Sequence, residues 1–392
     1  MGHDLFDIEK ASVFLSPNKT ILGKNTIQQT GQEIAILGGS KVLIVTDKGV
    51  ANAGLADPVI SSLKAAGVKA GIYEKVIPEP PSYVVDDVSK LARKDGYDAI
   101  IGVGGGSALD VAKGASMMAS NPGKILDYVG VNQFKTRGLP KILIPTTAGT
   151  GSEATWVCVA TDERENTKKS LYSNMLLPDT AILDPVMTVS MPPSVTADTG
   201  FDALVHAIES YVSVNRTPYT AIMAKTAIEL IARNLPVAYA KGGDLRARYS
   251  MLLAANLAGM AFTSGGLGAT HGLAYPLGTE YHMAHGRSNA IMLPHVMDFN
   301  RSASTERYAA IAAMMGERIE GLGIYDAAAR SVEAVKKLLA TVNISCRLSD
   351  HGIKKGSIGK LAKEAEKQAR FFVPNPKDLT PNDIKGIYEK AF

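Results

Sequence analysis

At 392 residues the chain exceeds the size at which a single hydrophobic core usually stops growing, so two domains are expected. Its 46% hydrophobic and 20% charged residues are those of an ordinary globular protein and argue against disorder. A net charge of +4, with lysines and arginines scattered among 38 acids and no basic block interleaved with aromatics, argues against a nucleic-acid partner. The opening MGHDLFDIEKAS lacks the basic start and apolar run of a secretory signal, and no stretch approaches the ~20 apolar residues that span a bilayer. A cytoplasmic protein with no membrane partner is expected.

From Lys41 to about Pro185 short β-branched runs alternate with helical patterns: KVLIVTD, a helix through Ala56–Ala66, VKAGIYEKV, a helix through Tyr83–Arg93, and DAIIGVGGG. That rhythm predicts parallel strands joined by crossover helices. KILIPTT and TAILDP add two strands that are apolar nearly throughout, as expected where helices cover both faces of a sheet. After Pro193 the pattern changes to long Ala/Leu/Ile-rich stretches of helical spacing, from SVTADTGFDALVHAIESYV to AAARSVEAVKKLLATV, with Ser194 as a capping residue. The boundary is expected near Asp184–Pro193, where MPP interrupts regular structure. The reading is thus an α/β dinucleotide-binding domain over residues 1–188 and an all-helical domain over residues 189–392. Cys158 and Cys346 have no metal-type spacing and are expected to be inert buried thiols.

Within the first half, DAIIGVGGGSALDVAKG is an apolar strand, a glycine run and a helix starting around Ser107. Such a turn lets backbone approach a pyrophosphate, and the helix N-terminus offers free N–H groups. PTTAGTGSE, Pro145–Glu153, sets three threonine hydroxyls and two glycines after another buried strand, on the edge where open α/β sheets bind ligands. Asp47 ends KVLIVTD, where its carboxylate either caps a helix or accepts hydrogen bonds from an adenosine ribose and repels a 2′-phosphate. The second role favours NAD over NADP.

The second half holds the chemistry-bearing histidines. Asp202 and His206 stand four apart on a predicted helix and share one face, as a metal-binding pair or a buried hydrogen bond. His271, His282 and His285 lie within fifteen residues in ATHGLAYPLGTEYHMAHGRSNA. On one unbroken helix His271 and His285 would be about 21 Å apart, too far to share an ion. The chain must turn between them, and Pro276 and Gly278 are the expected interruption. One carboxylate and three imidazoles suit Fe²⁺ or Zn²⁺ better than a hard oxygen-seeking ion. Spacing alone does not choose between His282 and His285.

GGGSALDVAK, PTTAGTGSE, LLPDTAILDP, TGFDALVHAIE and the HG…HG segment, in this order over nearly the whole chain, resemble the iron-containing (group III) alcohol dehydrogenases, the family of lactaldehyde reductase and 1,3-propanediol dehydrogenase. The resemblance implies the dehydroquinate synthase-like fold and a homodimer or higher homo-oligomer. It also implies a metal-dependent NAD(H) oxidoreductase interconverting a small primary alcohol or diol and its aldehyde. Position by position it implies Asp202, His206, His271 and His285 as metal ligands, with His282 and Phe262 at the substrate pocket. It puts Gly105, Gly106 and Ser107 on the pyrophosphate and Asp47 on the ribose, with Asp110, Thr146, Thr147, Thr150 and Lys168 also at the cofactor. Two departures stand out. Many members carry a second histidine four residues after the third ligand, a proton-relay position that is Tyr275 here, and the frequent E-P-N-P segment is E-P-P-S at Glu79–Ser82.

A tyrosine, with an ordinary pKa near 10, exchanges protons at neutral pH only beside a cation. The sequence around Tyr275 supplies none but the ion itself, so Tyr275 is expected to shape the pocket, with the proton leaving through water, the nicotinamide ribose hydroxyl or His282. Tyr275 after HGLA also resembles the branch of 4-hydroxybutyrate dehydrogenases and hydroxyacid–oxoacid transhydrogenases, the alternative activity. A dehydroquinate synthase-like lyase would need several cations around its substrate, and the region of Phe262–His285 offers only Arg287.

Overall fold

The computed structural model describes residues 11–165 and 167–392, so the first ten residues of the opening stretch lie outside the described ones. The chain divides into two compact units: Leu15–Met191, and Pro192–Phe392 together with residues 11–14. Phe14 belongs to the second because its ring stacks on Tyr219, 5.4 Å between centroids.

Among the described residues the first unit has nine strands: β1 (Thr20–Leu22), β2 (Lys41–Asp47), β3 (Lys69–Val76), β4 (Ala99–Gly104), β5 (Gly130–Val131), β6 (Lys141–Pro145), β7 (Val157–Asp162), β8 (Thr167–Tyr172) and β9 (Thr180–Leu183). Six of them form a parallel sheet in the order β1-β9-β6-β4-β2-β3. The interior strands β4, β6 and β9 are buried at every residue, which is why their sequences are apolar apart from Lys141 and Thr180 at the starts of β6 and β9. β3, at the edge, exposes most of its residues. The crossover helices Asp57–Ala65 and Ser82–Lys94 lie within a residue of their predicted spans. Helix Gly106–Ser120 packs close on β4 because Gly102 carries no side chain; a Cβ there would stand 2.8 Å from Ala112 Cβ.

Two features escaped the sequence reading. The three-residue β1 pairs in parallel with β9 and forms the other sheet edge. β7 and β8 form an antiparallel hairpin with β5 beside β8, a second small sheet. The hairpin strand TKKSLY has four charged or polar residues in six, Thr167–Ser170, and is only partly buried, so it lacks the apolar signature of the main sheet.

The second unit is helical. Its helix Pro193–Val212 follows Pro192, with Pro193 in the first turn, where a missing N–H breaks no hydrogen bond. Ser194 is therefore inside the helix and is not its cap. The predicted interruption at Pro276 and Gly278 is also corrected. Helix Ala269–Tyr281 runs through both, and the chain reverses at His282, a histidine with φ 52° in the left-handed region. Helix His285–Asn300 begins three residues later. Among the described residues no single helix is long and apolar enough to cross a membrane. Cys158 is buried, which pushes its thiol far up, whereas Cys346 is only partly buried.

Candidate metal centre

Helix Pro193–Val212 presents Asp202, His206 and Glu209 at i, i+4 and i+7, so all three project from one buried face. Helix Ala269–Tyr281 brings His271 in its first turn, and helix His285–Asn300 starts on His285. One ligand-capable atom from each of Asp202, His206, His271 and His285 lies within 4.8 Å of the others. Asp202 Oδ1 is 3.8 Å from His206 Nε2 and 3.6 Å from His285 Nε2. The rings of His206 and His271 stack at 5.0 Å, and those of His271 and His285 are 5.4 Å apart. His282, exposed at the chain reversal, is outside the cluster.

The close approach of these helices depends on glycine. A Cβ on Gly286 would lie 2.2 Å from the Asp198 carbonyl oxygen and 3.3 Å from Asp202 Cβ. One residue on, Arg287 Nε donates to Asp198 Oδ1 at 2.5 Å and ties the same two helices. Burial pushes the Asp202 carboxyl up, but the imidazoles of His206, His285 and His271 and a hydrogen bond from Asn289 outweigh it and hold it below the ordinary range.

Aromatic rings surround the cluster. Phe262 lies 4.6 Å from the His206 ring, Phe371 6.0 Å from His271, and Tyr275 meets His285 edge-on at 6.1 Å. The sequence around Tyr275 supplies no cation, but the fold brings one from far along the chain. Arg370, 95 residues away, sets Nη2 3.4 Å from the Tyr275 hydroxyl and its guanidinium 5.8 Å from that ring's centre.

In the α/β unit the two glycine and threonine loops face each other. Gly104 has φ 152°, and a Cβ on it would meet Ala108 Cβ at 2.7 Å and Asp47 Oδ2 at 3.5 Å. Cβ atoms built on Gly105 and Gly106 would point to Thr147, at 3.5 Å, and Thr150, at 2.7 Å. Thr146 N–H donates to Gly104 O at 3.0 Å. Ser107 stands in the first turn of helix Gly106–Ser120. Asp47 caps the short helix Lys48–Asn52, its Oδ1 accepting from Val50 N–H at 3.0 Å, while Oδ2 stays beside the glycine turn. Asp110 gives its oxygens to Ser152 Oγ and Val159 N–H, at 2.6 and 3.0 Å. Lys168 ion-pairs with Glu79 of the E-P-P-S segment at 2.5 Å.

Sequence reasoning passed over Lys113, Glu209 and Asn289. The buried Lys113 ammonium donates to Ser152 O and Thr155 Oγ1, at 3.0 and 3.1 Å, and holds the threonine loop. Glu209 Oε2 lies 2.6 Å from His271 Nδ1. Asn289 Nδ2 donates to Asp202 Oδ1 at 2.9 Å and lies 3.2 Å from both His271 Nε2 and His285 Nε2. Glu209 follows His206 by three residues and Asn289 follows His285 by four, the spacings of a shared helix face, and that was the available signal.

Together the fold and these two sites define a class: a parallel α/β unit shaped for a dinucleotide and a helical unit shaped for a divalent cation. Two family models cover nearly the whole chain: Iron-containing alcohol dehydrogenase over residues 17–185, and Fe-containing alcohol dehydrogenase family, C-terminal, over residues 196–392. The chain belongs to the iron-containing alcohol dehydrogenase family. It is 42% identical to long-chain-alcohol dehydrogenase 1 of Geobacillus thermodenitrificans over 379 residues, 96% of this chain and 95% of the relative. It is 37% identical to the NAD-dependent methanol dehydrogenase of Bacillus methanolicus over 378 residues, 96% of this chain and 99% of the relative. The crystal structure of 1,3-propanediol oxidoreductase superposes with a TM-score of 0.95 at 38% identity, covering 98% of this chain and 100% of that one.

Proposed function

We propose that the protein is a cytoplasmic, homo-oligomeric NAD(H)-dependent dehydrogenase that interconverts a small primary alcohol or diol and its aldehyde at a divalent metal, iron in the first place. The observation that carries this reading is the convergence of one carboxylate and three imidazoles, with donor atoms within 4.8 Å. The residues fit a cation. The Asn289 amide nitrogen, a donor, faces His271 Nε2, His285 Nε2 and Asp202 Oδ1 together, so acceptor lone pairs converge there. Asp202, His206, His271 and His285 would hold it, and a carboxylate with three nitrogens suits Fe²⁺ or Zn²⁺. When bound, the cation supplies a Lewis acid for the alcohol oxygen and the nicotinamide supplies the hydride acceptor.

The chain's own contribution is to bind and orient. Gly105, Gly106 and Ser107 would hold the pyrophosphate, at the first N–H groups of helix Gly106–Ser120, and Thr146, Thr147 and Thr150 on the facing loop would also contact the cofactor. Phe262, Tyr275 and Phe371 give the histidine cluster apolar walls that suit an aliphatic alcohol. Relatives named for methanol, a propanediol and long-chain alcohols support a primary alcohol as the substrate. The test is anaerobic assay of protein loaded with Fe²⁺ or Zn²⁺, with NAD or NADP and a series of short alcohols, diols and hydroxy acids. Metal-dependent NADH formation with an alcohol is the expected result; turnover of hydroxy acids alone would transfer the reading to the alternative branch.

Asp47 places a carboxylate beside the glycine turn, so NADP(H) should be disfavoured by repulsion of its 2′-phosphate. Repulsion between two charges a few ångströms apart, roughly 1–3 kcal/mol, corresponds to about a tenfold to hundredfold preference. Asp47→Gly should relax that preference in kcat/KM and, by losing the cap on Val50, lower stability by only about a few tenths of a kcal/mol. Equal efficiency with NADP(H) in the unmodified enzyme defeats the assignment.

Tyr275 is read as a wall of the pocket, with the proton leaving through solvent or His282. Tyr275→Phe keeps the ring tilted against Phe371, 5.3 Å between centroids, and removes only the hydroxyl. Its kcat should fall by less than about a hundredfold across the pH–rate profile, the scale below which general acid–base catalysis is not at stake. A larger loss would make the phenol beside Arg370 the proton carrier.

A further inference from the structure

We infer that Glu209 is the positioning residue of the metal centre: it fixes the tautomer of His271 and the helical turn that carries it, so that the ligand lone pairs converge before a cation enters. The inference rests on the metal-site reading above.

Glu209 is 5% exposed, and both of its oxygens are committed. Oε2 accepts from Gly268 N–H at 2.8 Å and lies 2.6 Å from His271 Nδ1; Oε1 accepts from Thr270 N–H at 2.7 Å. Gly268 permits this approach, since a Cβ there would come within 3.1 Å of Oε1. The intervening Ala269 N–H goes to Asn375 Oδ1 at 3.3 Å. The carboxylate thus satisfies two of the unpaired N–H groups that open helix Ala269–Tyr281 and grips the imidazole two residues inside it.

A carboxylate can only accept, so the proton on this contact belongs to His271 Nδ1 and the lone pair is left on Nε2. The far side of the ring agrees independently. Asn289 Nδ2, which can only donate, faces His271 Nε2 at 3.2 Å. An outer carboxylate of this kind orients a ligating imidazole and raises its basicity.

Glu209→Gln separates this role from mere helix capping, because the amide is nearly isosteric but cannot accept at both positions. With its oxygen at the Oε2 position, its NH₂ opposes Thr270 N–H. Turned the other way, the NH₂ opposes Gly268 N–H and donates to His271 Nδ1, which drives the proton to Nε2 and closes the lone pair that faces the cluster. The experiment is chelator competition for Zn²⁺ on apo-protein, with ¹⁵N NMR of the histidine rings. In the unmodified protein His271 should carry Nδ1–H both with and without Zn²⁺. The variant should bind Zn²⁺ 10- to 100-fold more weakly and lose the Nδ1–H signature, while NAD affinity is unchanged.

Wild-type Zn²⁺ affinity in the variant overturns the inference. So does weaker binding with the Nδ1–H tautomer retained, which would leave Glu209 as a helix cap only. If the variant fails to fold, the spectrum of the unmodified apo-protein decides, and Nε2–H on His271 there is equally fatal. An unmodified chain that takes up neither Zn²⁺ nor Fe²⁺ would instead defeat the proposed function.

Discussion

Replacing His271 by alanine should empty the metal centre and abolish turnover while the protein stays folded. The residue supplies one of four converging donors, and its loss should weaken metal binding by more than the roughly 100-fold that changes to outer partners cost. The fold should survive because Glu209 keeps two backbone donors, Gly268 and Thr270, after the imidazole is gone. Losing the third partner of a buried carboxylate should lower stability by about 1–3 kcal/mol. Metal analysis, circular dichroism and NAD titration of the same preparation check the three statements. His282→Ala is the control: exposed at the chain reversal and outside the cluster, it should keep the metal. A His271→Ala protein with full metal and turnover, or a His282→Ala protein without metal, would show that the wrong imidazole has been assigned.

Gly286→Ala should be nearly as damaging, although it adds one methyl group and touches no donor atom. The new carbon would stand 2.2 Å from the Asp198 carbonyl oxygen and 2.8 Å from its carbon, and backbone in the middle of a helix cannot turn aside. The helix His285–Asn300 would have to retreat by about 1 Å to restore ordinary contact distances. Overpacking of this size costs about 1–3 kcal/mol. The larger consequence is functional, because His285 begins the displaced helix and Asp202 lies on the opposing one, 3.6 Å away in the undisturbed site. A misplacement near 1 Å is enough for about a hundredfold loss of activity, and metal affinity should fall with it. Gly359→Ala, in an open position with nothing within 4 Å, should leave metal and activity unchanged and raise stability by up to about 1 kcal/mol. If the two variants behave alike, close helix contact at Gly286 is not what shapes the centre.

What the sequence determined by itself is what short-range geometry controls. The runs KVLIVTD, AIIGVG and KILIP are apolar because strands covered on both faces must be, and the strands appear where those runs are. The pairing of Asp202 with His206 follows from the 3.6-residue period, which puts i and i+4 on one helix face wherever the helix goes. The same periodicity already placed Glu209 and Asn289 beside the histidines, although the acid and the amide passed as ordinary helix surface. Tertiary structure alone decided what those faces meet. The contact between His271 and Glu209 spans 62 residues, that of Asn289 with Asp202 87, and that of Arg370 with Tyr275 95. Each depends on how helices cross. The position of the reversal was equally out of reach: Pro276 looked like the break, but it lies inside its helix and the chain turns at His282 in a left-handed conformation. Residue spacing measures distance along a helix, whereas a metal centre is assembled from distances between helices, and those are set by close contacts such as the one Gly286 permits.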